Sequence, residues 1–185
     1  MRKVKLAMYV SLDGVVENPA WTTPFWDDEL SKLQEEYLFS SDALLLGRVT
    51  YEGFAASWPA MEESTGEFGK RMNAMPKFVA SRTLAEAEWN ASIIEGDLGA
   101  AVAKLREQPG RDLLIYGSGD LVDELTRLGL IDEYRLIVYP VLVGTGKRIF
   151  NGDTASTLSL TDTTTTSTGV AVLTYRYSPE GSEAR

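Results

Sequence analysis

The sequence predicts an α/β fold: a mostly parallel mixed central sheet, helices on both faces, and a C-terminal antiparallel hairpin at one edge. Three observations carry this. Short apolar runs of strand length alternate with segments whose apolar residues recur at helical spacing. Two of those runs end in glycine and pass directly into a helical stripe. The end of the chain is rich in Thr, Val and Tyr, residues that suit paired strands.

Each element follows from local pattern. Residues 4–10 are an apolar-rich strand that ends in the turn Ser11-Leu12-Asp13-Gly14. From Asp27 onward, Leu30, Leu33, Tyr37 and Leu38 share one helical face. Residues 42–46 are a short buried strand, stopped by Gly47. A second helix starts near Val49 and carries Tyr51, Phe54 and Trp58. It is expected to end at Pro59, whose ring and missing N–H oppose helix continuation. Strands are expected at 77–80 and 92–95. Asp97 is placed to cap a helix with Leu98, Ala101, Val102 and Leu105 on one face, closed by Pro109-Gly110. Residues 112–116 form a strand, Gly117-Ser118-Gly119 a turn, and Leu121, Val122, Leu125 and Leu128 a helical stripe. The longest strand is expected over 133–143, with Pro140 at a bulge or edge, followed by a pair over 158–166 and 170–177. The chain reads as one domain over 1–178 with a polar tail over 179–185.

Composition narrows the chemistry. The 185 residues carry a net charge of -9, which argues against broad binding to nucleic acid or an anionic membrane. There is no Cys and no His, so thiol nucleophiles, disulfides, Cys/His zinc sites and imidazole acid–base catalysis are excluded. Any acid or base is a carboxylate, Lys, Tyr or water. Asp13 interrupts the first apolar run too early for an export signal, so a cytoplasmic protein is expected.

Ligands of open α/β sheets bind at the carboxyl ends of strands. Two strand ends here share one device, a buried run, then glycine, then a helix start: Leu46-Gly47-Arg48-Val49-Thr50-Tyr51 and Tyr116-Gly117-Ser118-Gly119-Asp120-Leu121. Glycine admits a phosphate close to the backbone, and the free amides of a first helical turn point toward it. Arg48 and Thr50 add a cation and a hydroxyl. At a third strand end, Ser81-Arg82 suits a dianion such as an adenosine 2′-phosphate, or is an ordinary solvated pair. Trp21, Phe25, Trp26, Tyr51, Phe54 and Trp58 line a pocket for a planar substrate or are plain core.

Gly47-Arg48-Val49-Thr50-Tyr51 resembles the G-R-x-T-aromatic signature of dihydrofolate reductases and of the riboflavin-pathway reductase domain. Ser11-Leu12-Asp13-Gly14, Leu130-Ile131-Asp132-Glu133 and the stretch from Pro140 to Gly146 are similar to the riboflavin-type branch, in family order across residues 4–177. The resemblance implies a three-layer dihydrofolate-reductase-like fold, NADPH as cofactor, a small-molecule substrate and a homodimer. It implies Arg48, Thr50, Ser81 and Arg82 at the adenosine and phosphate end, with Gly47 beside them. Gly117, Ser118, Gly119, Asp120 and Leu121 would lie under the pyrophosphate, with the Asp120 carboxylate capping the following helix. Val10 and Val16 would flank the nicotinamide, and Trp26, Tyr51 and Phe54 the substrate. Asp13, beside the nicotinamide, is the candidate catalytic carboxylate, for a ribose hydroxyl or a proton relay; the alternative is a turn residue before Gly14.

The implied reaction is hydride transfer from NADPH to a C=N bond of a pyrimidine- or pterin-like compound, 5-amino-6-(5-phosphoribosylamino)uracil reduction first and folate reduction second. A gapless alignment through Gly47 puts Ser31 where dihydrofolate reductases carry their acid, and Asp27, Asp28 and Glu29 suit a helix N-terminus instead. A non-catalytic nucleotide-binding module is the alternative from another class. Lys147 and Arg148 stand either near a substrate phosphate or in solvent. Tyr134, Tyr139, Tyr175 and Tyr177 offer a dimer surface or pack their own sheet.

Overall fold

The computed structural model describes residues 1–151 and 155–178; the tail expected over 179–185 lies outside the described residues. Strand β1 (Val4–Ser11) leads through a 3-10 turn (Pro19–Phe25) to helix α1 (Asp28–Ser40), then β2 (Ser41–Gly47) and α2 (Arg48–Thr65). Next come α3 (Glu67–Ala74), β3 (Lys77–Ala80), β4 (Ala91–Ile93), α4 (Leu98–Glu107), β5 (Asp112–Tyr116) and α5 (Gly119–Arg127). Strands β6 (Glu133–Tyr139), β7 (Leu158–Thr165) and β8 (Ala171–Tyr177) complete the chain. As predicted, Asp27 and Asp97 cap α1 and α4, accepting from the amides of Leu30 and Ala100 at 2.8 Å each.

The eight strands form one sheet in the order β4-β3-β2-β5-β1-β6-β8-β7. Pairings from β4 through β6 are all parallel, and β8 runs antiparallel to both β6 and β7. Alternation along the central strands divides the core. Leu6, Met8, Leu45 and Ile115 face α4 and α5, whereas Ala7, Leu44, Leu46 and Leu114 face α1, α2 and α3. Continuous apolar runs with both faces buried are what a parallel sheet between two helical layers requires. The predicted fold class is the observed one.

Two boundaries differ by more than two residues. Pro59 does not end α2, which continues to Thr65. Pro59 is exposed, so water can reach the carbonyl it leaves unbonded. The turns beyond it are held from α3: Trp58 packs on Phe68 at 5.5 Å, and Asn73 Nδ2 donates to Trp58 O (3.3 Å) and Glu62 Oε2 (2.6 Å). Tertiary contacts override the local rule. Helix α3 itself was not expected from the sequence.

The strand expected over 133–143 stops at Tyr139. Pro140 brings no N–H to the ladder, and Val141 N turns back onto Tyr139 O (2.8 Å). The freed segment braces the first turn instead. Val141 O accepts from Leu12 N at 2.9 Å, and the amides of Val143 and Gly144 reach Asp13.

Candidate functional site

Strands β2 and β5 are neighbours whose outgoing connections diverge. From β2 the chain passes through α2 and α3 to β3 on one side; from β5 it passes through α5 to β6 beyond β1 on the other. Diverging connections leave a crevice at the strand ends, where open α/β sheets place ligands. A cleft of about 1660 Å³ lies there.

The two glycine corners meet in this cleft and are bonded together. Ser118 Oγ accepts from Gly47 N (2.9 Å) and donates to Tyr116 O (2.9 Å), while Thr50 Oγ1 accepts from Ser118 N (3.0 Å). Gly117 and Ser118 both take left-handed backbone, with φ of 53° and 62°. For Ser118 that conformation is unfavourable, and the three bonds hold it. Neither α2 nor α5 has a side-chain cap, so the first-turn amides of two helices open on one cleft.

Gly47, Arg48, Thr50, Gly117, Ser118, Gly119, Asp120 and Leu121 all line the cleft, as do Ser81, Arg82 and Val16. Ser81 Oγ accepts from Thr83 N (3.2 Å) and Leu84 N (2.9 Å), which tightens the turn after β3 and presents Arg82 as an exposed side chain. Arg48 is ion-paired with Glu52 at 2.8 Å, one helical turn on, and both side chains are partly exposed. Arg82 has no ion-pair partner among the described residues. Asp120 departs from expectation. Its carboxylate caps nothing and pairs with Lys147, which also lines the cleft. The pair cancels the negative charge that Asp120 would bring to the mouth.

Trp21 and Phe25 pack against Tyr139 and do not line the cleft. Four further expected residues stand apart from the cleft wall. Val10 is buried in the core under α4 and α5. Tyr51 is 5 % exposed; its hydroxyl donates to Glu88 O (3.0 Å) and accepts from Glu88 N (2.8 Å), so it anchors the loop before β4. Asp13 accepts from Ser11 Oγ (2.6 Å), Val143 N (3.1 Å) and Gly144 N (2.7 Å). The Ser11 hydroxyl and these two amides hold its pKa down at about 2. Two of these three bonds tie the turn after β1 to the segment after β6, which fits the turn reading of Asp13. Arg148, the fourth, donates to Asp13 O and Gly144 O at 3.1 Å each and braces the same junction.

Trp26 and Phe54 do line the cleft. The sequence reading missed Tyr9, Gln34, Tyr116 and Phe68, which complete its second lobe between α1 and the α2–α3 pair. Gln34 Nε2 donates to Tyr9 Oη at 2.6 Å, and burial pushes the Tyr9 phenol up to about 12. Burial also raises Tyr116 well above the ordinary tyrosine range, so both phenols stay protonated. Helical phase gave a hint of Gln34, one turn before the core residue Leu38, but a polar residue on an apolar stripe carried no signal of a cleft. Tyr134 and Tyr139 are fully buried in their own sheet, and Tyr175 and Tyr177 pack partly against it. Among the described residues, no helix is long and apolar enough to cross a membrane.

Fold and cleft together define an α/β protein with a ligand crevice at a topological switch point. Residues 2–173 match the family model for the RibD C-terminal domain, and the chain belongs to that family. The protein YyaP of Bacillus subtilis (strain 168), which is uncharacterized, is 30% identical over 179 residues, covering 95% of each chain. A putative riboflavin biosynthesis protein from Shewanella sp. PV-4 superposes with a TM-score of 0.71 at 20% identity, over 97% of this chain and all of that one. The yeast riboflavin biosynthesis reductase Rib7, from Saccharomyces cerevisiae, gives 0.62 at 14% identity, over 96% of this chain and 90% of its own. These structures share the dihydrofolate-reductase-like fold.

Proposed function

We propose that this chain is an NADPH-dependent reductase that delivers hydride to a C=N bond of a planar pyrimidine- or pterin-like compound. One observation carries the reading: the Gly47 and Gly117 corners are locked together by Ser118, so that two uncapped helix N-termini open on one cleft. The donor set fits a phosphorylated dinucleotide. First-turn amides of α2 and α5 supply aligned N–H groups for phosphate oxygens, and helix dipoles favour negative charge there. Arg82, without an ion-pair partner among the described residues, and Arg48, held only by an exposed pair, are the cations for a 2′-phosphate.

NADPH, when bound, supplies the hydride. The protein holds the two reactants together and excludes water, which suits a chain without His or Cys. Val16, beside Gly119, offers an apolar surface in the cleft wall. Trp26, Phe54 and Trp58 offer apolar faces for a planar ring. Family membership and the reductases among its structural neighbours support the same chemistry.

The test is an NADPH titration followed by turnover. Binding should change the intrinsic tryptophan fluorescence, and nicotinamide absorbance should then decline with a pyrimidine or pterin substrate and not without one. NADPH binding with no oxidation across both compound classes would favour a nucleotide-binding module that has lost catalysis.

A further inference from the structure

The two lobes of the cleft differ in whether their walls hold cations, and that difference selects a class of substrate. All the cations in the wall (Arg48, Arg82 and Lys147) belong to the lobe with the glycine corners. The other lobe is walled by α1, by α2 beyond its first turn, and by α3. Among the described residues, no Lys or Arg of these segments lines it. Lys70 is committed to Glu67 at 2.7 Å, and Arg71 donates to Ser41 O at 2.5 Å. The charged side chain that these segments do contribute is Glu35, an exposed carboxylate.

The rest of that lobe is apolar or neutral. Phe54 and Trp58 meet edge to face at 6.2 Å, and Trp58 continues onto Phe68. Two neutral polar side chains in the wall have unused hydrogen-bonding capacity: Gln34 Oε1 and Tyr116 Oη are buried without partners. Buried orphans of this kind cost free energy until something completes them. An acceptor and a phenol together complement the N–H and C=O edge of a lactam-type ring.

We infer that the second lobe takes a neutral planar heterocycle, and that substrates bearing a phosphate are disfavoured. A phosphate dianion placed there would lose hydration with no cation to replace it, and would face Glu35. This rests on the reductase reading, because that reading assigns the lobe that holds Arg48, Arg82 and Lys147 to the cofactor.

The experiment uses the full chain saturated with NADPH and a matched pair of probes, 5-amino-6-ribosylaminouracil and its 5′-phosphate. Tryptophan fluorescence reads binding, since Trp26 and Trp58 line the cleft, and nicotinamide absorbance reads turnover. The neutral probe is expected to bind at least about tenfold more tightly than the phosphate. Equal or tighter binding of the phosphate overturns the inference, and so does failure of both probes to bind. Glu35→Lys, at an exposed position, should shift the preference toward the phosphate by about tenfold. An unchanged preference in that variant overturns the electrostatic account. Should neither probe be reduced while the binding preference holds, the reductase reading falls and the charge selectivity stands. Repeating the titration without NADPH keeps the two apart.

Discussion

Replacing Ser118 with alanine should loosen the joint on which the whole cleft depends. Its hydroxyl makes two bonds at 2.9 Å, one from Gly47 N and one to Tyr116 O. A typical intramolecular hydrogen bond contributes about 1 kcal/mol net, and a partly buried amide left without an acceptor costs about 1–3 kcal/mol. Solvent reaching the cleft recovers part of that, so a loss of about 2 kcal/mol is expected. For a domain of this length the loss corresponds to a fall of about 4–8 °C in melting temperature. Alanine keeps the left-handed backbone at φ 62°, whereas glycine relieves it. Ser118→Gly should therefore be more stable than Ser118→Ala by about 1 kcal/mol, although both lose the same two bonds. Thermal unfolding followed by circular dichroism, with urea titrations at constant m, measures both variants. A Ser118→Ala protein melting within about 1 °C of the parent would refute the reasoning, since such a shift corresponds to well under 1 kcal/mol. So would Ser118→Gly falling below Ser118→Ala.

Further outcomes follow from the same geometry. Arg48→Ala should weaken NADPH more than NADH, by about 1.5–3 kcal/mol for a charge-assisted bond, as read by parallel titrations; equal losses would transfer the 2′-phosphate to Arg82, and Arg82→Ala should then show the selectivity. Asp13→Asn should lower the melting temperature near neutral pH. Because the folded pKa of Asp13 is depressed to about 2, its stabilisation is present above the ordinary carboxylate range and lost as pH falls toward 2, so parent and variant should converge in acid. Lys77 is 1 % exposed, and burial lowers its pKa to about 8. Between about pH 8 and 10 the unfolded chain binds the Lys77 proton and the folded one does not, so Lys77 makes stability rise with pH across that window. Urea unfolding at pH 7.5, 9 and 10 should show the rise in the parent and lose it in Lys77→Met.

Local pattern made most of the fold legible. Alternation and helical spacing located the strands and four of the five α-helices, and Asp27 and Asp97 were readable as caps because capping is a contact between residues three apart. The glycine corners were readable for a similar reason: a buried run, a glycine and a helix start lie next to one another in the chain. The errors share the opposite cause. Pro59 forbids a helix only when nothing else holds the next turns, and here Asn73 and Phe68 do. The anchoring bonds of Asp13 had no local signal, because its partners Val143 and Gly144 are 130 or more residues away.

By itself, then, the chain's order of residues determined an α/β sheet with two glycine corners between strand and helix, and it excluded thiol and imidazole chemistry. Those properties depend on composition and on neighbours within a turn or a strand. Only the tertiary structure decided that the two corners share one cleft, that Tyr51 and Asp13 serve as anchors, and that Gln34 and Tyr116 face a lobe without cations. Each of these depends on long-range contacts through the sheet order, in which β5 inserts between β1 and β2, and such contacts are formed by packing that no local window of sequence contains.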